Sequence, residues 1–126
     1  MPRFMGFVRM AENLDTEPPQ SLFEAMDEHI AERVASGVFL DGGGLYGTED
    51  AVNVIVRKGE ITQVDGPYAE GKEVVGGWSI MQYDTREEAI ADLQVFAELH
   101  AKHWPDVEVI STLRQISDGP PDPRDA

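Results

Sequence analysis

The chain contains no cysteine. Disulfides, a thiol nucleophile and thiolate metal sites are therefore excluded. Basic residues are also scarce: 10 Lys and Arg stand against 24 Asp and Glu, for a net charge of −14 and a pI near 4.3. Nucleic-acid affinity comes largely from cations that neutralise phosphates, so so acidic a surface argues against a nucleic-acid partner, and against anionic membranes for the same reason. No apolar run approaches the roughly 20 residues of a membrane span. The first ten residues, Met1 to Met10, lack the charged, apolar and small-residue order of a signal peptide. Small secreted domains often need disulfides. Together these absences lead us to expect a cytoplasmic protein with no membrane or nucleic-acid partner.

What is present is enough for one folded unit. The chain has 126 residues, of which 41% are hydrophobic and 27% charged, a globular composition. We expect one domain over residues 1–116 and a loose tail over 117–126, where Gly119 and three prolines gather.

The apolar pattern changes period along the chain. Phe4 to Met10 alternates as a strand, with Phe4, Val8 and Met10 on one face and Met5 and Phe7 on the other. After Pro18 and Pro19, Ser21 and Glu24 form a capping box, and Leu22, Met26, Ile30 and Val34 make a helical stripe that Gly37 ends. Val38 to Leu40 is a short extended piece, and Asp41 to Asp50 reads as loop, punctuated by Gly42, Gly43, Gly44 and Gly47. Ala51 to Arg57 and Glu60 to Val64 form a hairpin about Lys58 and Gly59, and Asp65 to Gly76 is a second loop. Gly77 to Tyr83 is again a strand. Thr85 and Glu88 cap a second helix whose buried stripe is Ala89, Leu93, Phe96, Ala97 and His100, and Pro105 stops it. Val107 to Leu113 is the last strand.

This order predicts an α+β fold: a ferredoxin-like antiparallel sheet with two helices on one face. Two helices roof only one side. Yet the strands at 4–10 and 77–83 are apolar on both, and a bare apolar sheet exceeds what a monomer ordinarily exposes. A second copy of the same sheet is the simplest cover, so a homodimer is expected.

Few motifs carry chemistry. Gly42, Gly44 and Gly47 satisfy G-x-G-x-x-G, but a strand rather than a helix follows, and Asp41, Glu49 and Asp50 surround it with charge that repels pyrophosphate. No nucleotide or other cofactor is expected. His29 is either a general base or a solvated helix residue at the edge of the apolar stripe. His100 and His103 have the spacing of metal ligands on one helical face, but no third ligand can be placed, and histidines also suit a helix C-terminus. No metal site is expected. The segment Asp65-Gly66-Pro67-Tyr68-Ala69-Glu70-Gly71-Lys72-Glu73, followed by Gly76-Gly77-Trp78, holds most content. Asp65 can bond to its own turn, Tyr68 offers a ring with a hydroxyl, and Glu70, Lys72 and Glu73 form ion pairs or set one cation in an acidic rim. Such a loop serves either packing or ligand contact.

That segment resembles the DGPF motif of the YCII-related family, with Tyr68 for phenylalanine and Gly71 for the usual threonine. The resemblance extends over most of the chain, through Gly44-Leu45, the strand at 52–57, Glu87-Glu88-Ala89 and Val107-Glu108-Val109. It implies a ferredoxin-like fold assembled as a dimeric α+β barrel. Related branches are associated with a histidine and aspartate dyad, which points to His29 and Asp65 here. One branch is associated with dehydrochlorination of aromatic substrates, and DGPF proteins with alternative sigma factors.

Two functions follow as expectations. The first is an enzyme without cofactor, acting on a small apolar or aromatic molecule: His29 and Asp65 carry the acid/base chemistry, and Tyr68, Glu70, Lys72 and Trp78 line the pocket. The alternative is a non-catalytic module that binds a small effector or a regulator protein, for which the acidic surface suits a basic partner.

Overall fold

The computed structural model of the chain describes residues 1–12, 14, 16–66 and 73–117. Along it run β1 (Arg3–Met10), α1 (Gln20–Ser36), β2 (Phe39–Gly44), a 3-10 turn (Thr48–Asp50), β3 (Val52–Arg57), β4 (Glu60–Asp65), β5 (Val74–Gln82), α2 (Arg86–His103) and β6 (Ile110–Gln115). Four strands form one antiparallel sheet in the order β2-β5-β1-β6, and β3 and β4 pair only with each other. With that hairpin set aside as an insertion, the topology is the ferredoxin-like β-α-β-β-α-β arrangement expected from the sequence.

Cross-strand pairing sorts the side chains. Phe4 opposite Met81 and Gly6 opposite Ser79 lie on the face beneath the helices, while Met5 opposite Ile80 and Phe7 opposite Trp78 lie on the other. The core is small and sits at one end. Phe4, Met81, Tyr83 and Ala89 are buried together, with Val38, Phe39 and Leu113 packed against them.

The helix ends follow local chemistry, with one departure. Thr85 caps α2 as its sequence predicts, its Oγ1 accepting from the Glu88 amide at 3.2 Å. Gly37 closes α1 at φ 84°, a left-handed conformation that glycine adopts without penalty. Ser21 does not cap α1. The helix begins two residues earlier, with Pro19 at the N-cap accepting from the Leu22 amide at 3.0 Å. The Ser21 hydroxyl instead meets His103 Nδ1 at 3.0 Å, tying the start of α1 to the end of α2.

Two further expectations are corrected. Gly42 to Gly44 are not loop. They form the end of β2, because β5 offers them a complete hydrogen-bonding edge, with Gly42 opposite Ser79 and Gly44 opposite Gly77. Val34 and Ala97 do not bury. Val34 stays 55% exposed, and Ala97 is exposed as well.

The hairpin is anchored at its base. The Glu12 carboxylate accepts from both the amide and the hydroxyl of Thr48, the latter at 2.6 Å, and these bonds hold the Glu12 carboxyl below its ordinary range. Gly66, just past β4, donates its amide to the Ala51 carbonyl at 2.6 Å. A Cβ at Gly66 would stand 1.9 Å from the Thr48 carbonyl oxygen, so only glycine fits there.

Candidate functional site

Beyond the small core, sheet and helices part and leave a cavity of about 700 Å³. The sequence explains the gap. On the face beneath the helices the strands present Gly6, Gly42, Gly44 and Gly77, with Ser79 among them. Glycine cannot fill the space under a helix pair, so at Gly44 and Gly77 the floor is main chain, while Phe39 packs over Gly42, Ser79 Oγ over Gly6 and Val8 beside Gly77. The roof is apolar: Leu22, Phe23, Met26 and Ile30 from α1, Leu93 and Phe96 from α2.

One polar cluster interrupts the roof. His29 on α1 places Nε2 3.4 Å from Asp92 Oδ1 on α2, and both side chains are about 10% exposed. The same oxygen accepts from Arg33 Nε at 2.9 Å, and Arg33 also bonds Glu32 at 2.8 Å. The other carboxylate oxygen, Oδ2, accepts from the Tyr83 hydroxyl. Asp92 thus stands in a partition. Arg33 and Asp92 border both the cavity and a shallower depression of about 490 Å³, with His29 on the first side and Tyr83 on the second.

The electrostatics follow from this burial. Desolvation beneath the roof lowers the His29 pKa, against the raising influence of Asp92, and Arg33 lowers it further. The imidazole is therefore neutral near pH 7. Burial, followed by the hydrogen bond to Asp92, pushes the Tyr83 phenol well above its ordinary value, so it remains a proton donor to that carboxylate. The Phe96 ring lies between two histidines, with centroids 5.6 Å from His29 and 4.9 Å from His100.

A family model, the YCII-related domain, matches residues 5–112. The chain belongs to the YCII-related family. That family's fold is the dimeric α+β barrel, in agreement with the sheet and helices described above. No curated protein matches the chain.

In this YCII-related protein the residues singled out from the sequence do not all converge. His29 borders the cavity. Asp65 does not: it ends β4, exposed, with Oδ1 accepting from Gln63 Nε2 at 3.1 Å. The hairpin that carries Asp65 pairs with itself rather than with the main sheet. The carboxylate beside His29 is Asp92 instead. Trp78 borders the cavity, but pairing puts its ring on the opposite face, where Nε1 lies 3.5 Å from the place a Cβ on Gly43 would take. Tyr68, Glu70 and Lys72 lie outside the described residues. Of the tail at 117–126, only Ser117 is described. Among the described residues no group of three or more His, Asp or Glu is placed to hold a metal ion, and no helix is long and apolar enough to cross a membrane.

Asp92 escaped the sequence reading because it is one acid among 24. A signal was present. It falls three residues after Ala89 and four before Phe96, so an ionisable group sits on the apolar stripe of α2. The glycine floor was also visible, as Gly42-Gly43-Gly44 and Gly76-Gly77, but only pairing brings the two runs side by side.

Proposed function

We propose that the protein is an enzyme that binds a small apolar or aromatic molecule in this cavity and moves a proton with His29. The supporting observation is the neutral imidazole beneath an apolar roof, with a carboxylate 3.4 Å from Nε2. A general base must be unprotonated at the working pH and held in one orientation. Asp92 favours the tautomer with the proton on Nε2, which leaves the Nδ1 lone pair to take a proton from the substrate. As that happens the ring becomes cationic, and the adjacent carboxylate stabilises it. Arg33 and Tyr83 fix the carboxylate, so the stabilising charge needs no rearrangement during the step. The reaction class is proton abstraction from a C–H or O–H acid by the chain's own side chains.

The test is solvent exchange. Neutral aromatic ketones and lactones are incubated with the protein in D₂O and followed by proton NMR. Enzyme-dependent deuterium incorporation is expected, falling by about 10²–10⁴ in His29→Gln. An unchanged rate in that variant would remove His29 from the chemistry. Binding without exchange for any substrate would leave a non-catalytic binding module, in which the same cavity receives an effector.

We also propose that the working unit is a homodimer. Met5, Phe7, Trp78 and Ile80 share the face the helices leave open, and the β3–β4 hairpin exposes Val54, Val56 and Ile61 at 64%, 67% and 71%. A two-stranded hairpin is marginal by itself. A twofold partner would cover both surfaces. The run Asp65-Gly66-Pro67-Tyr68 supports placement in the DGPF branch of the family, and a cytoplasmic site of action accords with a chain lacking cysteine.

A further inference from the structure

His100 is the second imidazole on the cavity wall, and proton transfer by His29 leaves it without a task. It is 6% exposed. Its Nδ1 lies 3.1 Å from the Phe96 carbonyl oxygen, which can only accept, so in the neutral ring Nδ1 carries the proton and Nε2 carries a lone pair. Among the described residues nothing bonds that Nε2, although it is not sealed within the protein, and the residue lines the cavity. An acceptor open to the cavity is paired either by water or by a ligand group that donates to it.

Three features describe what would donate. At Gly44 and Gly77 the floor is main chain, and the roof sets Phe23 and Phe96 among Leu22, Met26, Ile30 and Leu93, a slot suited to a planar ring. Charge at the wall is balanced: Arg33 is engaged by Asp92 and by Glu32, so among the described residues no cation at the wall is left over for a ligand carboxylate or phosphate. The acceptor at His100 asks for an O–H or N–H.

We propose that the cavity takes a neutral, planar aromatic molecule bearing a hydroxyl or N–H donor, with the ring on the floor formed by Gly44 and Gly77 and the donor bound by His100 Nε2. This rests on the same cavity as the enzymatic reading and adds the ligand's class and the residue that orients it. The two glycines provide room rather than an unusual backbone conformation, since neither has a positive φ. A Cβ on Gly44 would have its nearest neighbour at 3.7 Å, and one on Gly77 at 3.6 Å, ordinary contacts that the fold accepts. Glycine inside a strand is otherwise unfavourable.

The test uses 2-naphthol, 2-methoxynaphthalene and 2-naphthoate as probes, titrated calorimetrically at pH 7. Wild-type protein is expected to bind 2-naphthol about tenfold tighter than its methyl ether, the worth of one neutral hydrogen bond, and to bind the carboxylate weakest. His100→Phe should bind the two neutral probes equally. Gly77→Val should weaken both about tenfold while unfolding no earlier than wild type. His29→Gln should leave the naphthol preference intact, so loss of catalysis and loss of recognition are separable. Imidazole nitrogen NMR of the unmodified protein gives an independent reading, because the His100 Nε2 resonance should shift when 2-naphthol binds. The proposal is overturned if the wild type binds no naphthalene, if it prefers the carboxylate, if His100→Phe keeps the preference, or if the Nε2 resonance does not move.

Discussion

Asp92 on α2 reaches His29 on α1 across the roof of the cavity, with Oδ1 3.4 Å from Nε2. The pair joins two helices that the chain separates by a hairpin and two strands, and its carboxylate is held from two further directions. Replacing Asp92 with asparagine should therefore act twice. Charge-assisted bonds from Arg33 and Tyr83 are weakened, at a cost of about 1.5–3 kcal/mol in urea unfolding. The His29 pKa, deprived of the stronger of the two carboxylates that raise it, Asp92 and Glu32, should fall further, as proton NMR titration of the imidazole will show.

Stability should depend on pH through His29. Unfolded, the imidazole titrates near its ordinary 6.5; folded, it titrates lower. Between those values the unfolded chain holds more protons, so stability rises with pH. The contribution is complete above 6.5 and is lost as pH falls toward the folded value. Urea midpoints of the wild type and His29→Gln, measured from pH 5 to 8, should diverge below pH 6.5, with the wild type falling more steeply.

Tyr83→Phe removes the hydroxyl that donates to Asp92 Oδ2 but keeps the ring against Phe4, whose centroid is 6.5 Å away. A loss of about 1.5–3 kcal/mol is expected for a bond to a charged acceptor. Proton exchange by His29 should slow through poorer orientation, visible in kcat more than in KM.

Gly66→Ala forces a methyl onto the Thr48 carbonyl. Overpacking of this kind costs about 1–3 kcal/mol, and it should also weaken the bond from the Gly66 amide to Ala51. Hydrogen exchange should show faster opening of the hairpin at 52–65, while the main sheet stays protected.

The dimer can be tested from its open face. Phe7→Asp places a charge among Met5, Trp78 and Ile80 without touching the cavity roof. Sedimentation should show a dimer for the wild type and a monomer for this variant. A wild-type monomer at micromolar concentration would end the proposal.

The fold was legible in the sequence because its strongest signals are local. Thr85 with Glu88, Gly37 after a helical stripe, and Lys58-Gly59 between two alternating runs each act through neighbouring residues, and each stands in the structure. The failures share a different cause. Ser21 would cap α1 in isolation, but Pro19 already supplies the first acceptor and His103 engages the hydroxyl. Gly42 to Gly44 lack strand propensity, yet an edge beside β5 satisfies their backbone. The resemblance paired His29 with Asp65; the carboxylate the structure sets beside His29 is Asp92, through a contact between two helices.

A floor of backbone sets a one-way limit on redesign. Nothing can be trimmed from a glycine, so changes at Gly44 or Gly77 can only narrow the chamber. Room for bulkier guests must come from the side chains that share its wall, such as Phe23, Met26 or Leu93. Variants selected for larger molecules should therefore accumulate their replacements at such positions and keep the two glycines.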